Sequence, residues 1–318
     1  MRCPFKLIGA ISLAAALAVA QESIPAPGTS QQTPDPLLAE ARSLVRLGTL
    51  TRAEELTRRY LTQHANSADA HFLLGYILFR QAKAKDSLEE YTTGAKYRTP
   101  SAYDLEVVAS DYVVLKDYPD ADKWFTKALE WNPRDALGWY YLGRTKYNEN
   151  RFEEAIRAFQ ECLKLEPKNV KAEDNLGLSY AGLARNEDAK TAYLTAIDWQ
   201  KDDAVKNAGP FVDLGSLLLD ENRIAEAIPY LLQAREISPS DVQVHRELGK
   251  AYLHLDQLRK AEEELRKGIE LAPEDASLHY MLGQVYRKER LNDKAKLEFD
   301  RYAGMTGTHS TPQNPDRP

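Results

Sequence analysis

Apolar positions along this chain recur in a register of 34 residues. The pair Leu-Gly returns at Leu74-Gly75, Leu142-Gly143, Leu176-Gly177, Leu214-Gly215, Leu248-Gly249 and Leu282-Gly283. The glycines are separated by 68, 34, 38, 34 and 34 residues. The first gap is two periods with Ala109 at its midpoint. The 38 is one period plus an insertion near Asp202 to Lys206. With each glycine at position 8, eight units follow: 34–67, 68–101, 102–135, 136–169, 170–203, 208–241, 242–275 and 276–309. Position 20 reads Ala53, Ser87, Ala121, Ala155, Ala189, Ala227, Ala261 and Ala295. Position 24 is often aromatic, as in Tyr91, Phe125, Phe159, Tyr193 and Phe299.

This pattern predicts two helices per unit. Positions 4, 7, 8 and 11 share one face of a first helix, and positions 20, 24 and 27 share one face of a second. Small residues at 8 and 20 allow close approach, and large ones at 7, 11 and 24 fill the space beside them. Pro133, Pro167, Pro239 and Pro273 at position 32 end second helices, because proline lacks the N–H a helix requires. Asn148-Glu149-Asn150-Arg151 and Asp220-Glu221-Asn222-Arg223 supply turns between helices. Glu153-Glu154 and Glu262-Glu263-Glu264 read as the acidic starts of second helices, where carboxylates complement the helix dipole. The expected fold class is all-α.

The pattern resembles the tetratricopeptide repeat, a 34-residue helix–turn–helix unit, across residues 34–309. The first unit fits least well, with Glu40 where leucine is usual and Thr57 at position 24. Unit 4 departs with Lys146 at position 11, where the neighbouring Tyr147 is expected to take over the packing. The resemblance implies a right-handed superhelical solenoid. Its concave groove would be lined by first helices at positions 2, 5, 9, 12 and 13. Those positions here carry Phe72, Tyr76 and Tyr103, then Tyr140, Arg144 and Tyr147, then Arg246, Lys250, Tyr280 and Arg287. Aromatic residues and arginine dominate interface energies. The expected partner is therefore a protein or peptide segment, with aromatic pockets for its apolar side chains and Arg246, Lys250 and Arg287 for its acidic groups. Binding of cell-wall glycan is the alternative, since aromatic grooves also stack on sugars. Some relatives clamp C-terminal carboxylates with basic residues. Gly209 and Asp213 stand where two of those bases belong, which argues against such a clamp.

Composition changes this picture little. Hydrophobic residues make up 43% and charged residues 28%, an ordinary balance for a chain with a packed core. The net charge of −6 argues against a general nucleic-acid binder. Arg2 and Lys6 precede the uncharged run Leu7 to Ala20, which ends in Ala18-Val19-Ala20. Residues 1–20 thus read as a secretory signal peptide cleaved before Gln21, with an uncleaved anchor as the alternative, and the run is short for a bilayer span of about 20 residues. Secretion across the inner membrane to a bacterial periplasm is expected, with no membrane span after cleavage. Residues 21–33 read as a linker and residues 304–318 as a disordered tail.

No catalytic, cofactor or metal motif emerges. The spacings for HExxH, CxxC, a calcium loop and a GxSxG elbow are missing. His71, His245 and His279 recur at position 4, where Trp139 and Phe211 stand in other units. They read as half-buried packing residues. A metal shared by His245 and His279 would need a third ligand, and none is suitably spaced. Cys162 at position 27 reads as a small buried hydrophobe. The functional expectation is a non-enzymatic scaffold.

Overall fold

The computed structural model describes residues 35–307; the expectations for residues 1–20, 21–33 and 308–318 lie outside them. All regular structure among the described residues is helical. The chain divides into two compact units, residues 1–165 and 166–318. The first unit holds α1 (Pro36–Arg46), α2 (Leu50–Leu61), α3 (Ala68–Arg80), α4 (Ala84–Ala95), α5 (Ala102–Val114), α6 (Tyr118–Trp131), α7 (Ala136–Asn148) and α8 (Phe152–Leu165). The second holds α9 (Val170–Gly182), α10 (Asn186–Trp199), α11 (Gly209–Asp220), α12 (Ile224–Ile237), α13 (Val242–His254), α14 (Leu258–Leu271), α15 (Ala276–Lys288) and α16 (Asn292–Thr306). Each sequence repeat is one hairpin, and within each unit each hairpin packs on the next. First helices of adjacent repeats also touch, as α3 does with α5, and α11 with α9 and α13.

The close approach expected at position 8 is present. A methyl group on Gly177 would lie 2.5 Å from Cε1 of Tyr193, and one on Gly143 would lie 2.6 Å from Cε1 of Phe159. Both rings are fully buried, so neither can swing aside. Gly177→Ala should overpack this contact and lower stability by about 2 kcal/mol, measured as a shift in urea midpoint. The first unit's weak repeat is accommodated locally. Thr57 is fully buried because its hydroxyl donates to the Ala53 carbonyl at 2.7 Å, while Glu40 simply faces solvent.

Helix ends follow a second regularity. Ser67, Ser101, Asp135, Asn169, Asp241 and Asp275 all occupy position 34, and each caps the following first helix with its side chain. Such oxygens satisfy otherwise orphaned N–H groups of the first turn. Position 15 takes a left-handed backbone in every hairpin, from Gly48 (φ 77°) through Ala82, Lys116, Asn150, Ala184, Asn222 and Asp256 to Arg290 (φ 63°). The insertion after α10 is closed by Gln200, 2% exposed. Its amide donates to the Asn207 carbonyl (3.1 Å) and accepts from the Asn207 N–H (2.6 Å).

Three expectations are corrected. Glu262, Glu263 and Glu264 do not start a helix, because α14 begins at Leu258 and these residues lie in its second turn. Lys146 is itself buried, 8% exposed, and its ammonium meets Asp122 at 2.6 Å and Glu154 at 3.2 Å. Tyr147 packs edge-on against Phe152 beside it (5.4 Å). Residues 304–306, expected in the tail, are instead the end of α16, which runs to Thr306 and stops on left-handed Gly307.

Candidate partner-binding face

The residues expected in a groove lie on first helices, and the structure sorts them into three groups. Phe72 and Tyr76 are buried, 5% and 9% exposed. Phe72 turns inward because Gly94 on α4 has no side chain. A methyl there would sit 2.6 Å from Cε1 of Phe72, and the ring also stacks on Tyr91 at 5.7 Å. Tyr76 packs against Phe79 (6.3 Å) and Tyr103 (5.9 Å), and its hydroxyl accepts from Arg80 at 3.3 Å. The expectation that these two rings stand free is therefore corrected. Tyr103 is half-buried, and burial raises its hydroxyl's pKa.

Tyr140, Arg144 and Tyr147 on α7 are half-buried. Tyr140 packs on Tyr141 and Phe159, at 5.5 and 6.0 Å between centroids, with the Arg144 guanidinium 5.9 Å from its own ring. Leu137, one turn earlier, is 47% exposed. In the second unit Tyr280 is 43% exposed and leans on Phe299 (5.8 Å) and Tyr302 (5.1 Å). Arg287 is exposed, with its guanidinium 5.7 Å from the Phe299 ring.

Arg246 and Lys250 form the third group. Arg246 reaches Asp275 at 2.9 Å, and Lys250 reaches Asp220 at 2.8 Å. Arg246 is thus engaged by the residue that caps the next first helix and Lys250 by an acid of the preceding repeat, which corrects the expectation that they await acidic groups of a partner. Acids, in fact, distinguish this face. Burial pushes Asp213 up to about 7, with nearby Glu247 adding to it. Burial and the adjacent Asp213 also raise Asp174, and burial raises Glu247. In the first unit burial and neighbouring Asp135 push Glu106 up to about 8.

The histidines are more deeply engaged than packing residues. His71, His245 and His279 are 9%, 4% and 3% exposed. Nδ1 of each meets a carboxylate on the second helix of its own hairpin: Glu90 at 2.6 Å, Glu264 at 2.7 Å and Glu298 at 2.6 Å. Nε2 of each donates to the carbonyl at position 32 of the preceding repeat: Ala65 (2.8 Å), Pro239 (2.9 Å) and Pro273 (3.0 Å). Trp139 fills the same slot in its repeat, donating to the Pro133 carbonyl at 3.0 Å. With both ring nitrogens occupied, these histidines have no lone pair for a metal, and they buckle consecutive repeats together. Sequence reasoning missed the partners. The signal was available as a fixed offset, because every histidine at position 4 has a glutamate 19 residues later.

Four family models for the tetratricopeptide repeat match residues 38–102, 136–169, 174–203 and 218–302, together more than half of the chain. The chain belongs to the tetratricopeptide-repeat family. Proteins of this family generally mediate protein–protein interactions, and the repeat fold is typically non-catalytic. A tetratricopeptide repeat protein from Parabacteroides merdae has a similar structure, with a TM-score of 0.64 at 19% identity over 78% of this chain and 97% of that one. Among curated relatives, the peroxisomal targeting signal receptor of Kluyveromyces lactis is 36% identical over 94 residues, 30% of this chain and 17% of the receptor. The protein O-mannosyl-transferase TMTC3 of Mus musculus is 26% identical over 144 residues, 42% of this chain and 16% of the transferase. The chain thus spans less than a fifth of either relative's length. Among the described residues, no helix of this tetratricopeptide-repeat chain is long and apolar enough to cross a membrane.

Proposed function

We propose that this chain is a non-enzymatic scaffold that binds segments of other proteins on the first helices of its two compact units, each taken by itself. The observation that carries this reading is the character of the side chains those helices leave accessible. Leu137 and Tyr280 are nearly half exposed, Arg287 is exposed, and Arg144 lies half-buried over an aromatic ring. Large apolar groups and arginine are the anchors of protein interfaces. The relative named as a targeting-signal receptor supports a peptide-like ligand.

Export to a bacterial cell envelope is part of the proposal, supported by Arg2, Lys6 and the apolar run Leu7 to Ala20. Affinity capture by the full chain tests the reading. Leu137→Ala/Arg144→Ala/Arg287→Ala should reduce recovery of the bound protein at least tenfold while helix content by circular dichroism stays unchanged. Undiminished recovery would overturn the first-helix face as the binding surface. Recovery of cell-wall fragments instead of protein would favour glycan binding.

A further inference from the structure

Three neighbouring first helices in the second unit, α9, α11 and α13, bring together polar atoms that nothing satisfies. The carboxyls of Asp174 on α9 and Asp213 on α11 are close enough to shift each other's ionisation, and Asp213 also feels the charge of Glu247 on α13. Oδ1 of Asp174, Oγ of Ser216 and Oε2 of Glu247 are each buried without a hydrogen-bond partner among the described residues. Asp174 is only 6% exposed. Its carboxyl fits because residue 209 is glycine: a methyl there would lie 2.6 Å from Oδ2. Ser216 lies one helical turn beyond Asp213, on the stripe that continues to Asp220. Asp220 bonds Lys250 of α13 at 2.8 Å, so this stripe of α11 faces α13.

Buried polar atoms are normally paired, and unpaired acceptors on three successive first helices mark room for further donors. The local cations do not fill it. Arg246 and Lys250 are held by Asp275 and Asp220 and approach Glu247 only at 3.7 and 3.9 Å. No ion pair reaches Asp174 or Asp213 among the described residues. Among the described residues no group of three such side chains could hold a metal ion, and acceptors spread this way suit an organic cation with several donors. Orphans spread over three helices require several donors in a fixed plane, and a guanidinium supplies five whereas an ammonium is a compact point.

We propose that this face of the second unit holds an arginine side chain of a partner segment, seated between Asp174, Asp213 and Glu247 with Ser216 accepting from it. The proposal rests on the first-helix face being the partner surface and names the chemistry of what it takes there. The arriving cation favours the ionised form of Asp174 and Asp213, which burial disfavours, and any proton they release goes to solvent. The other charged groups around them are Glu173, Asp220, Asp241, Arg246 and Lys250.

Fluorescence anisotropy of labelled nona-arginine, nona-lysine and nona-glutamate with the full chain tests this. Nona-arginine should bind more tightly than nona-lysine, and nona-glutamate should not bind. Asp174→Asn/Asp213→Asn/Glu247→Gln should weaken nona-arginine binding about tenfold or more, the loss expected for charge-assisted hydrogen bonds. Glu262→Gln/Glu263→Gln/Glu270→Gln, three acids of α14 outside the site, should change it less than twofold. Equal losses in both variants, no loss in the first, or equal binding of the arginine and lysine peptides would each overturn the site. Those results would leave the partner surface itself standing, because the capture experiment with Leu137, Arg144 and Arg287 decides that separately.

Discussion

His245→Phe destabilises α13 and α14 by about 3 kcal/mol, and adding Glu264→Leu recovers most of that loss. The first change preserves a ring of similar size but removes both hydrogen bonds, to Glu264 at 2.7 Å and to the Pro239 carbonyl at 2.9 Å. Glu264 is 5% exposed and is left with Arg235 alone. Stripping a buried carboxylate of a hydrogen-bonding partner costs about 3–5 kcal/mol, whereas replacing both members of the pair with apolar groups is often close to neutral. The remaining Arg235 contact places His245→Phe at the lower end of that range. In the double variant about 1 kcal/mol remains, the cost of the orphaned Pro239 carbonyl. Phe211 already occupies the equivalent position in the preceding repeat, 3% exposed, so the slot accepts a phenyl ring. Amide hydrogen exchange in α13 and α14 measures the cycle. Simple addition of the two single costs would mean that the pair is not coupled.

Asp111→Leu stabilises the first unit by about 4 kcal/mol more at pH 8 than at pH 4. Asp111 on α5 is fully buried, and neither carboxyl oxygen has a hydrogen-bond partner among the described residues. The Ser87 hydroxyl is close enough to favour ionisation, yet it gives its hydrogen to the Gly75 carbonyl at 2.9 Å. Burial therefore pushes Asp111 from 3.8 up to about 7. The sign follows from proton counting. Between these values the folded state holds a proton that the unfolded state has released, so stability falls as pH rises from about 4 to about 7. A tenfold weaker acid in the folded state costs about 1.4 kcal/mol once ionised, and leucine removes the whole dependence. Urea titrations of both proteins at pH 4, 6 and 8 should diverge progressively. Parallel curves across that range would show that Asp111 is not held protonated.

How much of the candidate face was legible varies residue by residue. Tyr280 and Arg287 were read as surface groups on a first helix, and the structure leaves them exposed. Phe72 occupies the same repeat position as Tyr280 yet turns inward, because its own hairpin has glycine at position 94 and so offers the ring a hollow. Position alone cannot distinguish the two; the size of the residue facing each one decides. Lys146 looked like a break in the pattern. It is a buried ion-pair partner of Asp122, a residue 24 positions earlier in the preceding repeat.

The sequence by itself determined the helical hairpins, their 34-residue register, the insertion near Asp202 and the close contacts at position 8. These are local properties. Helix periodicity, small residues at contacts and side-chain caps act within one or two turns of chain, so spacing records them. Only the tertiary structure decided which polar groups are spoken for. Arg246 with Asp275, Lys250 with Asp220 and each histidine with its carbonyl pair between hairpins, and each histidine meets its carboxylate across the two helices of one hairpin. Whether a charge meets its opposite there depends on how neighbouring helices pack, and the same packing leaves Asp174, Ser216 and Glu247 buried with unmet hydrogen-bonding capacity.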